Sequence, residues 1–246
     1  MADFKMKIAG QTAAVRSLYG STPEYFRPYL TEEPADFSIT ITPEDVRFER
    51  EKTTEEALEE GFRIRNFPDT YLERASIQRK FAEYLFDFDT LLFHGSTVAV
   101  DGAAYLFTAN SGTGKSTHTR LWRQVLGERA VMVNDDKPFL RFTQEHILAC
   151  GSPWSGKHGL DANIAVPLKG ICILQRGTEN RIRSLSASEA ISMLRKQSYR
   201  PLDCRKSEAF AVLVDKLAAR IPLWQMECTK DPQAAMVSYS AMSAVK

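Results

Sequence analysis

Ala109-Asn110-Ser111-Gly112-Thr113-Gly114-Lys115-Ser116 is the stretch on which the reading of this 246-residue chain turns. It matches the Walker A pattern G-x-x-x-x-G-K-[ST], except that alanine stands in place of the first glycine. A triphosphate carries several negative charges. It is held most easily by a loop whose successive backbone N–H groups point inward, followed by a helix N-terminus. Gly112 and Gly114 permit that backbone path. The nucleotide-binding segment is therefore Ser111, Gly112, Thr113, Gly114, Lys115, Ser116 and Thr117. Lys115 brings a mobile cation to the outer phosphates, Ser116 offers a hydroxyl to Mg2+, and Thr117 opens the helix beside the inner phosphate.

The flanking segments come in the order such a loop requires. Leu91–Phe93, Thr97–Val100 and Ala103–Thr108 read as strands, the last two joined by an Asp101-Gly102 turn into a hairpin that feeds the loop. Thr117–Leu126 reads as a helix closed by Gly127. Ala130–Val133 then forms a short apolar strand ending in Asn134-Asp135-Asp136. Asp135 follows Lys115 by 20 residues, where a P-loop enzyme places an acidic residue to hold Mg2+. Side chains alternate along a strand, so one carboxylate can face a metal while its neighbour serves as general base for an acceptor hydroxyl. Which aspartate does which stays open at this stage.

Three segments together resemble a known family. Ser111–Ser116 is similar to the kinase-1 loop of PEP carboxykinases. Val133-Asn134-Asp135-Asp136 is similar to the double-aspartate strand that PEP carboxykinases share with HPr kinase/phosphorylases. His94-Gly95 resembles the His-Gly that HPr kinases carry upstream of the hairpin leading into the loop. The resemblance covers roughly residues 90–180. It implies an α/β fold with a mixed β-sheet P-loop core of the HPr kinase / PEP carboxykinase type, flanking helices, and ATP and Mg2+ as ligands. It also implies Asp135, Asp136, His94 and Lys115 as catalytic residues, with Ser116, Asp135 and Asp136 around the metal.

Departures from the pattern leave the acceptor open. The Arg-Gly-rich signature that HPr kinases carry after the acidic pair is missing, and the chain is much shorter than a PEP carboxykinase. In place of the signature stands Gly151-Ser152-Pro153-Trp154-Ser155-Gly156-Lys157-His158, similar to the corresponding loop of short bacterial HPr-kinase-like proteins, some linked to peptide modification. Lys157 and His158 are the candidates there for reaching the transferred phosphoryl or the acceptor.

Composition excludes other classes. With 32 basic and 31 acidic residues and no basic run, a dedicated nucleic-acid or membrane-surface binder is disfavoured. No apolar stretch nears the ~20 residues of a membrane span, and Met1–Gly10 lacks a signal-peptide core, so a cytoplasmic protein is expected. The 4 cysteines, Cys150, Cys172, Cys204 and Cys228, show no zinc-site spacing and read as buried thiols.

Outside the core, residues 36–49 read as a hairpin with a Thr-Pro-Glu-Asp turn, and Arg50–Gly61 as a charged loop or solvated helix. From Asp69, Ile77, Phe81, Tyr84, Leu85 and Phe88 share one helical face, expected to pack on the sheet that follows. Further strands are expected at Phe139–Phe142, Ile171–Gln175 and Arg181–Ser184. A helix capped by Ser186 and Glu189 follows, then one with the face Phe210, Leu213, Val214 and Leu217. The division falls into a 1–88 α+β region and an 89–246 kinase core. The first region carries no motif; extending the sheet, a homo-oligomer contact and substrate selection all remain open for it.

The leading expectation is a kinase moving a phosphoryl group from ATP to a serine-type hydroxyl of a peptide, protein or small molecule. A nucleotide-binding regulator with little turnover and a lyase of the PEP carboxykinase kind are the alternatives. ATP over GTP or pyrophosphate, and any reverse phosphorolysis, are not decided by these residues.

Overall fold

A computed structural model describes residues 1–59, 61 and 63–244. The chain divides into two compact units, Met1–Leu85 and Phe86–Lys246.

In the first unit, β1 (Ala2–Ile8) and β2 (Gln11–Ser17) form an antiparallel hairpin. Its two turn residues, Ala9 and Gly10, have φ of 53° and 81°, the left-handed pair that suits the strand twist. A single turn, α1 (Thr22–Tyr25), precedes β3 (Phe37–Thr40), which runs parallel to β2. The hairpin expected over residues 36–49 is half right: after β3 the chain enters α2 (Pro43–Glu59). Thr-Pro-Glu-Asp is a helix start and not a turn between strands. The Thr42 amide and hydroxyl both donate to Asp45 Oδ2, at 3.0 and 3.2 Å, and Pro43 takes the first helical position. Val46–Glu49 and the charged stretch that follows therefore belong to one helix.

The next helix, α3 (Asp69–Leu85), buries Ile77, Phe81 and Leu85, as its periodicity predicts, while Phe88 falls in a separate turn at Phe86–Phe88. Its apolar face packs on the amino-terminal sheet, where Phe37 of β3 stacks on Tyr84 and contacts Phe81 at ring-centroid distances of 4.5 and 5.4 Å. The expectation that this face covers the later sheet is thus corrected. Once α2 is a helix, β2 and β3 need a cover, and α3 supplies it.

The second unit contains β4 (Thr90–Leu92), β5 (Ser96–Val100), β6 (Ala103–Thr108), α4 (Lys115–Leu126), β7 (Ala130–Asn134), β8 (Phe139–Phe142), β9 (Ile147–Cys150) and β10 (Ala165–Arg176). There follow β11 (Arg181–Leu185), α5 (Ala187–Gln197), α6 (Ser207–Arg220), β12 (Leu223–Cys228) and α7 (Gln233–Ser243). The strands make one mixed sheet in the order β4-β8-β9-β10-β6-β5-β7, with β12 beside β10 and β11 beside β12. β5 is antiparallel to both β6 and β7, so β6 and β7 run the same way and end on the same side. That is the topological reason why the loop after Thr108 meets the carboxylates after Asn134.

Alternation along the central strands divides the core in two. Ala104, Leu106, Ile171 and Ile173 point toward α5 and α6 with Leu194, Leu213, Val214 and Leu217. Tyr105, Phe107, Cys172 and Leu174 point toward α4 and α7 with Trp122, Trp224 and Met242. Covered on both faces, these strands read as continuous apolar runs. The capping box at Ser186 and Glu189 is formed. Of the cysteines, Cys150 and Cys172 are buried, whereas Cys228 is half-buried and Cys204 exposed, which corrects the reading of all four as core thiols. Among the described residues no helix is long and apolar enough to cross a membrane.

Candidate functional site

The loop between β6 and α4 is shaped by its glycines. Gly112 (φ 72°) and Gly114 (φ 122°) occupy conformations that side chains disfavour, and Gly114 is the N-cap from which α4 begins at Lys115. The His118 amide donates to the Gly114 carbonyl at 2.9 Å and the Thr113 amide to the Asn110 carbonyl at 3.3 Å, while the first amides of α4, from Lys115 to Thr117, precede the helix's own bonding and can face an anion. Two cations steady the loop from neighbouring elements. Arg176 Nη2 donates to the Gly112 carbonyl at 2.6 Å, and Lys196 Nζ to Asn110 Oδ1 at 2.9 Å. Lys115 Nζ lies 3.4 Å from the Ala109 carbonyl. Burial lowers its pKa; the nearby Asp136 and Asp135 oppose that shift and Lys137 adds to it.

The two aspartates face different partners. Asp135 is buried, and its Oδ1 accepts from Ser96 Oγ at 2.6 Å; Ser96 Oγ in turn lies 2.8 Å from Thr119 Oγ1. Burial pushes the Asp135 carboxyl above its ordinary range, against the opposing influence of the Ser96 and Ser116 hydroxyls. Asp136 turns the other way, toward His94, whose Nε2 lies 3.2 Å from Asp136 Oδ1. Burial also works to raise Asp136, but the His94 hydrogen bond and the charges of Lys137 and Lys115 outweigh it, so this carboxyl sits below its usual range. His94 itself is held neutral, because burial and the two lysines prevail over Asp136. Adjacent carboxyls driven in opposite directions are suited to different tasks.

His94 is placed by its backbone. Its amide donates to the Gln197 carbonyl at 2.7 Å, and the Gly95 amide donates to the Asp136 carbonyl at 3.0 Å. A Cβ on Gly95 would come within 2.8 Å of Leu106 Cδ2 and 3.0 Å of the Phe107 carbonyl oxygen, so a side chain there would make Leu106 and the β6 backbone give way.

The segment 151–158 is tied to the acidic strand end. Asn134 Nδ2 donates to the Ser152 carbonyl (2.8 Å) and Oγ (3.0 Å), while Asn134 Oδ1 accepts the amides of Asp136 (2.8 Å) and Lys137 (2.6 Å). Ser152–Ser155, including Trp154, is buried; the turn Gly156–His158 is exposed. A Cβ on Gly156 would stand 3.2 Å from Asp136 Cβ. Beside this turn a cleft of about 510 Å³ is lined by Ser116, Thr117, Thr119, Arg120, Arg123, Met132, Asp135, His158 and Leu160. Of the two residues singled out on this turn, His158 lines the cleft and its charge acts on Asp135, whereas Lys157 is not among the lining residues.

The structure therefore brings Ser111–Thr117, Asp135, Asp136 and His94 to one end of the sheet, with His158 at its margin. Ser96, Asn134, Ser152, Arg176 and Lys196 belong to the same arrangement. Asn134 and Ser152 lie inside the two quoted segments without being assigned a role there, and Asn134, preceding two aspartates at a strand end, is a residue type that caps turns through its side chain; Ser96, Arg176 and Lys196 carry no local motif.

Strand, glycine-bearing loop, helix and a strand ending in paired carboxylates define an α/β protein built on a mixed sheet. The chain belongs to the family described as SynChlorMet cassette protein ScmC, whose profile matches residues 76–230. Among solved structures, the HPr(Ser) kinase/phosphatase from Coxiella burnetii aligns at 11% identity over 62% of this chain and 93% of that one, with a TM-score of 0.36. At that identity and TM-score the likeness carries no argument about activity. No curated protein matches the chain.

Proposed function

We propose that this chain is an ATP-dependent kinase that transfers a phosphoryl group to a serine-type hydroxyl of a peptide, protein or small molecule. The observation that carries the reading is the divided acid pair beside the loop. Asp135 lines the same cleft as Ser116, the residue next to Lys115, and accepts from Ser96, while Asp136 is paired with His94.

The parts take the following roles. The amides of Ser111–Thr117 and the Lys115 ammonium hold the triphosphate. Ser116 and Asp135 present hard oxygen donors of the kind Mg2+ accepts, and both line the same cleft. Bound there, Mg2+ would neutralise charge on the phosphates. Asp136 stays ionised and takes the proton of the acceptor hydroxyl as that oxygen bonds to the terminal phosphorus. The bond from phosphorus to the bridging oxygen breaks, and ADP leaves. His94 positions Asp136 and keeps it anionic. Catalysis is then mostly positioning and electrostatics, consistent with the loop being anchored by Arg176 and Lys196.

Calorimetry with MgATP and ADP release with candidate acceptors test this. Lys115→Ala should weaken ATP binding by about tenfold or more, the loss of a charge-assisted contact to phosphate. Asp136→Asn should abolish turnover while sparing nucleotide binding. Unchanged affinity in the lysine variant removes the assignment. Tight binding with no turnover on any acceptor would favour a nucleotide-occupied regulator.

A further inference from the structure

The cleft beside the acid pair has a charge pattern that the kinase reading does not use. Ser116, Thr119, Arg120 and Arg123 fall at helical spacing on one side of α4 and form one wall. Met132 comes from β7 and Asp135 from just past its end, and His158 and Leu160 from the exposed turn and the segment after it. Arg120 and Arg123 are exposed, and among the described residues neither guanidinium has a hydrogen bond or ion pair. Five other exposed arginines of this unit pair with carboxylates, Arg129 with Asp101, Arg181 with Glu179, Arg183 with Glu189, Arg195 with Asp215 and Arg205 with Asp203, and Arg176 and Arg220 donate to backbone carbonyls; Arg200, outside the cleft, is the other exposed arginine without such a bond among the described residues. The sole carboxylate among the cleft's lining residues is Asp135, which already receives the hydroxyl of Ser96.

Resting on the kinase reading above, we propose that this cleft binds the acceptor and that the acceptor is an acidic peptide segment, its carboxylates held by Arg120 and Arg123. The geometry sets a register. Ser116 and Asp135 mark the end of the cleft where the terminal phosphate lies; the base Asp136 is not among the lining residues, so the acceptor hydroxyl reaches past this end to meet it, and Arg123 stands seven residues along α4 from Ser116, about 10 Å away at the rise of a helix. An extended peptide covers that distance in about three residues. The acidic side chain therefore lies two or three residues from the hydroxyl that is phosphorylated. Met132 and Leu160 give the side chains between them an apolar wall, and the volume of about 510 Å³ suits several residues of peptide rather than one small hydroxy acid.

The test uses the full-length chain and fluorescein-labelled nonapeptides of alanine with a central serine. One set carries glutamates two and three residues from the serine, the other lysines at the same places. Binding is followed by fluorescence anisotropy at low salt, and phosphoryl incorporation from radiolabelled MgATP is followed in parallel. The glutamate peptides should bind about tenfold more tightly than the lysine peptides and be the ones phosphorylated. Arg120→Glu combined with Arg123→Glu should reverse the preference. Equal binding of the two sets, or a preference that survives the double reversal, overturns the proposal. Displacement of the peptide by free citrate at equal concentration would replace the peptide by a small anion. Incorporation without charge preference sinks this inference and leaves the kinase reading standing. An Arg-dependent preference without incorporation on the bound serine sinks the kinase reading and leaves only an acid-binding cleft.

Discussion

His94 and Asp136 are worth more as a pair than either is alone. The His94 hydrogen bond is the largest of the influences that hold Asp136 ionised against its burial. A base that must be anionic loses activity as pH falls through its pKa, and a depressed pKa places that loss below the ordinary carboxylate range. In His94→Ala the hydrogen bond is gone while the burial remains, so the Asp136 pKa rises and the acidic limb of the kcat profile moves to higher pH. Asp135→Asn should behave differently, because it lines the cleft with Ser116: the Mg2+ concentration needed for half-maximal rate rises while the limb stays in place. A pH series on the two variants separates the roles. An acidic limb unmoved in His94→Ala would remove the positioning role assigned to that histidine.

At the scale of elements, α4 is held to α7 by a buried polar knot. Trp122 Nε1 donates to Ser238 Oγ at 2.8 Å, His118 Nε2 lies 2.9 Å from the same oxygen, and Ser238 Oγ reaches the Ala234 carbonyl at 3.0 Å. If the serine donates to its own helix, His118 supplies a proton from Nε2, and the buried Nδ1 is left without a partner. Burial pushes the His118 pKa down from 6.5 to about 4. The unfolded chain takes up a proton near pH 6.5 and the folded chain only near pH 4. Stability from this group is therefore complete above the first value and is lost as pH falls toward the second, by about 3 kcal/mol in all. Urea unfolding from pH 7 to pH 4.5 should show that slope, and His118→Gln should flatten it. Equal slopes in the two proteins would mean that His118 is not titrating in this window.

This knot had no sequence signature, whereas the neighbouring loop did, and the contrast shows what could be read in advance. The strand hairpin, Gly112, Gly114, Lys115 and the carboxylates after β7 are legible because glycine conformations, alternation and helix termini are local properties. Thr42-Pro43-Glu44-Asp45 reads equally as a turn because the same residues serve turns and helix starts, and only the bond from Thr42 to Asp45 decides between them. β9, β12 and α7 have no sequence signature because short strands and a helix apolar on several sides have no clear period. The pairing of β10 with both β6 and β12, like the placing of Ser96 and Asn134 beside the aspartates, depends on contacts distant in sequence that periodicity does not encode.

For the whole molecule, the division at Leu85 and Phe86 makes a prediction about where nucleotide binding resides. Every group assigned to holding the triphosphate, and both loop anchors, lie between His94 and Lys196, inside the second unit. That unit has apolar clusters on both faces of its sheet. Its amino-terminal border is also fixed from within, since Phe86 packs near Tyr199 and Phe210 and Asp87 pairs with Lys206 at 2.8 Å. A fragment beginning at Phe86 keeps these contacts, whereas one beginning at Thr90 loses them and uncovers the start of the core. The fragment 86–246 should therefore unfold cooperatively and bind MgATP within about threefold of the full chain, a difference under ~1 kcal/mol. The fragment 90–246 should be less stable by about 2–4 kcal/mol, the cost of removing a buried phenylalanine from the core. Calorimetry and thermal unfolding of the two fragments check this. Loss of nucleotide affinity in a well-folded 86–246 fragment would move part of the binding site into the first unit and overturn its assignment to one sheet end.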